Sequence, residues 1–266
     1  MSLREKVAAP DVLVLCYHAV SETWDSELAV TPLQLEQQVS GLLARGYKPA
    51  TLLDAVLAPP AKRTLAITFD DAYRSVNQLA APVLRELGAI GCVYAPTNWI
   101  GARTPMRWSG IEEWLGTADE NELCPMDWNE LGALAEEGWE VGSHTCSHPH
   151  LTELDDERLA AEMEESRSAC AAGLARPCDT IAYPYGDVDE RVIRAAAAAG
   201  YRAAAALPQA PHAPSDLRWP RIGIYRWDGR TRSRLKVSPL VRRMRGMPVR
   251  RLLDPLGRMA RTREGR

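Results

Sequence analysis

The chain has 266 residues, of which 46% are hydrophobic and 25% charged, and its formal net charge at pH 7 is −3. This length is enough for one large α/β domain with a well-filled core, and no apolar run approaches the length that spans a bilayer. The apolar stretch at residues 12–16 is not followed by a small-residue cleavage site, so we expect no signal peptide and a cytoplasmic location.

Charge is distributed unevenly along the chain. Residues 230–266 contain 12 arginines and one lysine against two acidic groups, whereas the preceding residues contain 19 basic and 33 acidic groups. This change predicts a domain in residues 1–229 and an Arg-rich C-terminal tail in residues 230–266. The tail is expected to be solvated, to dock on the acidic domain, or to contact anionic lipids at the inner face of the membrane. The acidic remainder and the lack of interleaved aromatic residues argue against nucleic-acid binding.

Strand and helix patterns alternate between residues 11 and 226. The predicted strands are residues 12–16, 65–69, 91–95, 139–143, 180–182, 201–205 and 219–225. The predicted helices are residues 31–45, 79–87, 127–137, 155–172 and 190–199. Residues 97–125 have no clear period and contain three tryptophans, which is typical of a long loop over a site. The alternation predicts a parallel sheet with helical crossovers.

Side chains that suit a divalent metal follow two of these strands. Asp70 and Asp71 end the strand at residues 65–69, and His144 and His148 lie in the loop after residues 139–143. A catalytic zinc takes three such ligands and keeps one position open for water, on which a second carboxylate can act as a base. Taken alone, the aspartates are equally well explained as a helix N-cap pair. Because parallel strands end at one edge of a sheet, the two segments together predict a hydrolytic metal site.

Three further segments are candidates for the site. Tyr17-His18 follows the first predicted strand, and His18 is a candidate proton donor, although an isolated histidine is more often a structural residue. His212, in a Pro-rich loop, is the weaker candidate. Residues 183–186, Tyr-Pro-Tyr-Gly, have the composition of a turn.

Successive side chains of an extended segment point in opposite directions, so Asp70 and Asp71 are expected to have different roles.

These segments resemble the signatures of the polysaccharide deacetylase family, the NodB-like carbohydrate esterases. The family's first motif, Thr-Phe-Asp-Asp-Gly, is met at residues 68–72 except that Ala72 replaces the glycine. Its second motif, His-Ser/Thr-x-x-His, is met fully at residues 144–148. Its third, Arg-x-Pro-Tyr, is met only in part, because Ala182 stands in the place of the arginine. The N-terminal Tyr-His is similar to the branch that acts on bacterial poly-N-acetylglucosamine.

The resemblance implies an α/β fold, a distorted (β/α) barrel of about seven parallel strands known as the NodB homology domain. It also implies a divalent metal ion, with zinc as the first candidate, bound by Asp71, His144 and His148. Asp70 would be the general base.

Three other roles follow from the resemblance. The backbone N–H of Tyr185 would help to stabilise the oxyanion, and His18 would protonate the leaving amine. The family's arginine, which orients the base, is missing at position 182. Arg221 could supply this guanidinium, or it could be a surface arginine, and the sequence favours neither.

We therefore expect a metal-dependent hydrolase that acts on carbon–nitrogen bonds other than peptide bonds and removes N-acetyl groups from an acetylated sugar or polysaccharide precursor. One alternative is an O-deacetylase or deformylase of a lipid-linked sugar, for which the site would look the same. Another is a catalytically degenerate carbohydrate-binding protein, which Ala72 and Ala182 would suggest.

Overall fold

The computed structural model describes residues 10–207, 213–238 and 241. Within these residues the eleven strands are β1 (Asp11–Tyr17), β2 (Ala19–Val20), β3 (Ala29–Val30), β4 (Lys48–Pro49), β5 (Arg63–Phe69), β6 (Cys92–Ala95), β7 (Glu140–Ser143), β8 (Thr180–Ala182), β9 (Ala203–Ala206), β10 (Trp219–Pro220) and β11 (Ile222–Gly223). The seven α-helices of the same residues are α1 (Pro32–Leu43), α2 (Leu52–Leu57), α3 (Ala81–Glu86), α4 (Trp128–Glu136), α5 (Asp156–Leu174), α6 (Glu190–Ala198) and α7 (Arg230–Lys236). A π-helical turn, Val76–Ala80, leads directly into α3.

Parallel pairing closes the strands into a barrel. The hydrogen-bonded order is β10-β9-β8-β7-β6-β5-β1-β11, with β4 attached to β5, and every pair is parallel. Only Arg221 lies between β10 and β11. Residues 219–223 therefore form one segment, of which β10 pairs with β9 and β11 pairs with β1. This split segment joins the two ends of the sheet. Counted as one strand, it gives seven parallel strands, which confirms the predicted barrel.

Helix α2 fills the amino-terminal end of this barrel. It contacts β1, β5 and β9, which lie in different parts of the ring. The Leu53 amide donates a hydrogen bond to Glu140, the first residue of β7, at 2.8 Å. Along β1, Leu13 and Leu15 belong to the large outer cluster, whereas Val14 packs in a smaller cluster with α2. The opposite end of the barrel, where the strands finish, is therefore the end that remains available for a site.

Capping side chains fix the helix starts that the sequence predicted. Thr31 accepts a hydrogen bond from the Gln34 amide, and the Gln34 side chain accepts one from the Thr31 amide. Asp127 and Glu130 form the same reciprocal pair at the start of α4. Such a cap contributes about 1 kcal/mol because it satisfies amides that have no partner within the helix.

The predicted long loop at residues 97–125 is confirmed, since it contains only short 3₁₀ turns among the described residues. The Arg-rich segment begins within α7, which packs against α1 and buries Ser233 and Val237. His212 and nearly all of the tail beyond Ser238 lie outside the described residues. None of the helices in the described part of the chain combines the length and the apolarity needed to cross a membrane.

Candidate active site

The side chains singled out in the sequence meet at the carboxyl ends of the barrel strands. The register pairs Tyr17, the last residue of β1, with Phe69, the last residue of β5. It also pairs Ser143, the last residue of β7, with Ile181 in β8. Because these strands end at nearly the same level, the segments that follow them converge on one pocket, and they bring together His18, Asp70, Asp71, His144, His148, Tyr185 and Arg221.

Asp71, His144 and His148 form a buried group whose potential ligand atoms all lie within 4.8 Å of one another. The Nε2 atoms of His144 and His148 lie 3.4 and 3.3 Å from Oδ1 of Asp71. That oxygen is buried, and it has no hydrogen-bond partner among the described residues. Two imidazole nitrogens and one carboxylate oxygen that face a common point are the donor set of a divalent cation. The residues present therefore fit a metal ion.

Neighbouring groups fix the orientation of both imidazoles. Nδ1 of His144 is 2.8 Å from the Ala182 carbonyl oxygen, which can only accept a hydrogen bond. In the neutral ring this leaves the lone pair of Nε2 free for a metal. The His148 ring is stacked on Trp108, with ring centroids 4.3 Å apart, and meets the ring of Tyr185 edge-on at 4.6 Å. Trp108 thus connects the long loop at residues 97–125 to the site.

The electrostatics of this group favour a cation. Burial raises the pKa of Asp71, but the two imidazoles that face it outweigh this effect and hold the pKa well below its usual range. Burial lowers the pKa of His148, which favours the neutral ring that a metal requires. For His144, burial lowers the pKa, but the carboxylates of Asp70 and Asp71 raise it above its ordinary value. The site therefore attracts positive charge, either a proton or a metal ion.

A backbone turn separates the two aspartates. Strand β5 ends at Phe69, and both Asp71 (φ 68°) and Ala72 (φ 51°) have left-handed backbone conformations. The two side chains were expected to point in opposite directions because side chains alternate along a strand. That reason is wrong, because Asp71 lies beyond the extended segment. A residue other than glycine in this conformation costs about 1 kcal/mol, which applies to Ala72 where the family motif has glycine.

Asp70 is held by a buried arginine. Nη1 and Nη2 of Arg221 donate to Oδ1 and Oδ2 of Asp70 at 2.6 and 2.7 Å. Arg221 is only 3% exposed, so the alternative of a surface arginine is wrong. Burial is the largest single effect and raises the pKa of Asp70, but the charge and hydrogen bonds of Arg221, together with the charges of His144 and His18, outweigh it and lower the pKa to about 2. The carboxylate is therefore ionised and fixed in position at neutral pH.

Two residues for which the sequence predicted no role support this pair. Thr68 accepts a hydrogen bond from Nη1 of Arg221 at 3.1 Å and donates one to the Leu15 carbonyl at 2.7 Å. The Cys16 thiol lies 3.4 Å from Oδ2 of Asp70. Both residues lie within apolar runs that read as core. Their pairing in register at the ends of β1 and β5, on the inward side, is the signal that could have found them.

His18 lies beside Asp70. One of its ring nitrogens, the Cys16 sulfur and an oxygen of the Asp70 carboxylate all lie within 4.8 Å of one another. Its ring is stacked on Tyr225 at 6.4 Å, and its buried Nδ1 has no hydrogen-bond partner in the part of the chain that the structure describes.

Tyr185 occupies the turn after β8 with a left-handed backbone conformation (φ 58°, ψ 0°). Its side chain lies edge-on to His148 and donates a hydrogen bond to the Ser109 carbonyl at 3.2 Å. The turn therefore adjoins the metal-binding group.

Known proteins match both the sequence and the fold of this chain. The family model described as polysaccharide deacetylase matches residues 58–204. The chain is 25% identical to YxkH of Bacillus subtilis, whose name describes it as a polysaccharide deacetylase. The match extends over 194 residues, which are 71% of this chain and 62% of YxkH. The chain thus spans less than two thirds of the length of that relative.

Two solved structures show the same fold. The Streptococcus pyogenes deacetylase PplD in complex with acetate has a TM-score of 0.71 and 21% identity, over 87% of this chain and 100% of PplD. IcaB from Ammonifex degensii has a TM-score of 0.68 and 20% identity, over 86% of this chain and 98% of IcaB.

Proposed function

Because the chain belongs to the polysaccharide deacetylase family, we propose that it is a metal-dependent hydrolase that removes N-acetyl groups from an acetylated sugar or polysaccharide precursor. The observation that carries this proposal is the presence, in one pocket, of a buried Asp-His-His group and a separate ionised carboxylate held by an arginine. A structural metal site would not need the second carboxylate, whereas hydrolysis needs a proton acceptor beside the electrophile.

Asp71, His144 and His148 are the proposed metal ligands. One carboxylate and two imidazoles are a ligand set that suits zinc, although other divalent ions accept it as well. A metal ion bound there would polarise a carbonyl group and lower the pKa of a coordinated water. The chain's own contribution is to bury the three ligands, to direct Nε2 of His144 by the bond to the Ala182 carbonyl, and to fix His148 between two aromatic rings.

Asp70 is the proposed acceptor of the proton from the attacking water. Arg221 keeps it ionised and fixed, and a carboxylate that accepts two hydrogen bonds still has lone pairs for a water molecule. A carboxyl whose pKa is about 2 is a weak base, so it can act only on a water of increased acidity. A metal ion held by the adjacent Asp71 would supply that acidity.

His18 and Tyr185 are proposed to act on the other atoms of the amide. When the carbon–nitrogen bond breaks, acetate forms and the leaving nitrogen needs a proton, which His18 beside Asp70 would donate. The backbone N–H of Tyr185 would donate a hydrogen bond to the acetyl oxygen as it gains negative charge. The resemblance of Tyr17-His18 to the poly-N-acetylglucosamine branch stays a prediction.

The test is acetate release from a panel of N-acetylated and O-acetylated sugars, with chelator and with metals added back. We expect release from N-acetylated sugars that chelator abolishes and zinc restores, and no release by Asp70→Asn. Release from O-acetyl substrates alone, or formate release from formylated ones, would favour the alternative reactions. Release that survives both chelation and Asp70→Asn would refute the proposed chemistry.

We also propose that the Arg-rich segment brings the enzyme to anionic lipids, at the inner face of the membrane. Helix α7 exposes Arg230, Arg232 and Leu235, and the preceding Trp227 is 61% exposed. Each basic group near an anionic surface adds about 1 kcal/mol of attraction, and the indole suits the headgroup region. Tyr225, which is stacked on His18, lies two residues before Trp227, so this surface adjoins the active-site end of the barrel.

A further inference from the structure

Four aromatic rings form a continuous column along one side of the site. Trp108 is stacked on His148 at 4.3 Å, His148 meets the edge of Tyr185 at 4.6 Å, and Tyr185 is stacked on His150 at 3.9 Å with only 11° between the ring planes. The column ends at Asp187, whose Oδ2 is 2.6 Å from Nδ1 of His150. His150 and Asp187 have no part in the chemistry described above.

Asp187 and Tyr185 belong to the same short turn. Residues 184–186 form a 3₁₀ turn, and the Asp187 amide donates to the Pro184 carbonyl at 3.0 Å. The Asp187 side chain then binds His150, whose ring covers the face of Tyr185. The contacts therefore form a closed loop that runs from the turn through His150 and back to the turn.

The turn needs such support because its backbone is strained. Tyr185 has a left-handed conformation that residues other than glycine rarely adopt, and such a conformation persists only where the surrounding structure enforces it. On one side, the next residue is packed against the chain, since a Cβ atom at Gly186 would lie 2.4 Å from the Leu207 carbonyl oxygen. On the other side, the ring of Tyr185 is held between His148 and His150.

We infer that His150 and Asp187 are positioning residues, which hold the Tyr185 turn so that its backbone N–H points to the reacting acetyl oxygen. The inference rests on the proposed function, because it assigns them a role through the proposed oxyanion donor. The stacked ring of His150 supplies the contact, and the hydrogen bond between His150 and Asp187 fixes the plane of that ring. His150 is 42% exposed at its side chain, so its replacement leaves no large cavity in the core.

Four variants of the full chain, purified with its metal, test this role. His150→Ala removes the stacked ring, His150→Phe keeps a flat ring without the hydrogen bond to residue 187, and Asp187→Asn keeps a polar partner without the carboxylate. Asp156→Asn is the control, because that carboxylate is 85% exposed and pairs only with Arg191 outside the site. For each variant we would measure kcat, KM, bound metal, and amide hydrogen exchange of a peptide that covers residues 183–187.

In His150→Ala we expect kcat to fall by about tenfold to a hundredfold, the range expected when a catalytic donor is displaced. KM should change by less than about threefold, since the turn is proposed to act on the transition state. Metal content should stay at the wild-type value, and exchange in residues 183–187 should become faster. His150→Phe should recover most of kcat and protection, Asp187→Asn should lie between His150→Ala and wild type, and the control should match wild type.

Two results would overturn the inference. One is wild-type exchange in residues 183–187 of His150→Ala, which would mean that the ring does not hold the turn, whether or not the protein is a deacetylase. The other is a loss of kcat in His150→Phe equal to that in His150→Ala, which would mean that His150 acts through its polar atoms and not through the stacked ring. Failure of the proposed function would give a different result, because Asp70→Asn would then release acetate at the wild-type rate.

Discussion

Replacement of Arg221 by methionine should destabilise the protein far more than the loss of an exposed arginine. The guanidinium is buried and makes three hydrogen bonds, two of them to Asp70. Arg221→Met keeps a similar side-chain length but leaves the Asp70 carboxylate, which is 2% exposed, without its counter-charge. Breaking a buried ion pair by removing one partner typically costs about 3–5 kcal/mol.

The pKa of Asp70 gives a second measure of the same interaction. It falls from an ordinary 3.8 to about 2 in the folded protein, which corresponds to roughly 2 kcal/mol at about 1.4 kcal/mol for each tenfold change in proton affinity. This value is smaller than 3–5 kcal/mol because the pKa already includes the opposing effect of burial, so we take about 3 kcal/mol as the expected cost.

The sign of the pH dependence follows from the same shift. Since the folded pKa lies below the unfolded value, the stabilisation by Asp70 is complete above about pH 4 and is lost as the pH falls towards 2. In Arg221→Met, the largest of the effects that oppose burial is lost, so the pKa of Asp70 rises. The difference in stability between wild type and variant should therefore be largest near neutral pH and should shrink in acid.

Urea unfolding followed by tryptophan fluorescence measures these differences. Arg202→Met is the matched control, because Arg202 is 57% exposed in its pair with Asp179 and should contribute less than about 1 kcal/mol. The double variant Asp70→Asn/Arg221→Met should be more stable than Arg221→Met alone, since it removes the unpaired charge. A wild-type midpoint for Arg221→Met, or a double variant no more stable than the single one, would refute this account of the pair.

Four further predictions concern the roles of single groups. His148→Ala should lose most of its bound zinc by elemental analysis while keeping its circular dichroism spectrum, and a content near one ion per chain would contradict its role as a ligand. Asp70→Asn should keep the metal and lose turnover, whereas loss of the metal as well would exchange its role with that of Asp71. His18→Ala should reduce turnover of amides far more than that of activated esters, whose leaving groups need no proton, and equal losses would make His18 structural. A chain that ends at Asp228, which lacks α7 and the rest of the Arg-rich segment, should sediment less with anionic liposomes than the full chain, and equal or salt-insensitive binding would argue against lipid contact through that segment.

The sequence was most informative where chemistry and local structure coincide. A buried strand that ends in Asp70-Asp71, and another that ends before His144, carry both the position and the ligand type of the site within a few residues. The register of a parallel sheet then brings those strand ends to one level, so no long-range information is needed to expect that they meet.

Contacts that depend on the closure of the barrel could not be predicted in the same way. Asp70 and Arg221 are separated by 151 positions, and nothing local to either shows that residues 219–223 pair with both edges of the sheet. Helix α2 was missed because its six residues are too short for a clear period. No role was predicted for Cys16 and Thr68, because both lie in mostly apolar strand sequences that indicate a core and not a site.

The structure also gives a physical reason why alanine occupies position 182, where the family motif has arginine. Ala182 is fully buried in the inner cluster with Ala203 and Ala205, so β8 and β9 present small side chains to the interior of the barrel. Arg221 enters that interior from the closing strand, where its guanidinium lies 5.8 Å from the ring centroid of Tyr94. A large side chain at position 182 would compete with Arg221 for this space. We therefore propose that Arg221 replaces the arginine of the family motif, and that a site which retains the carboxylate, its counter-charge and the Asp-His-His group has the parts that catalysis requires.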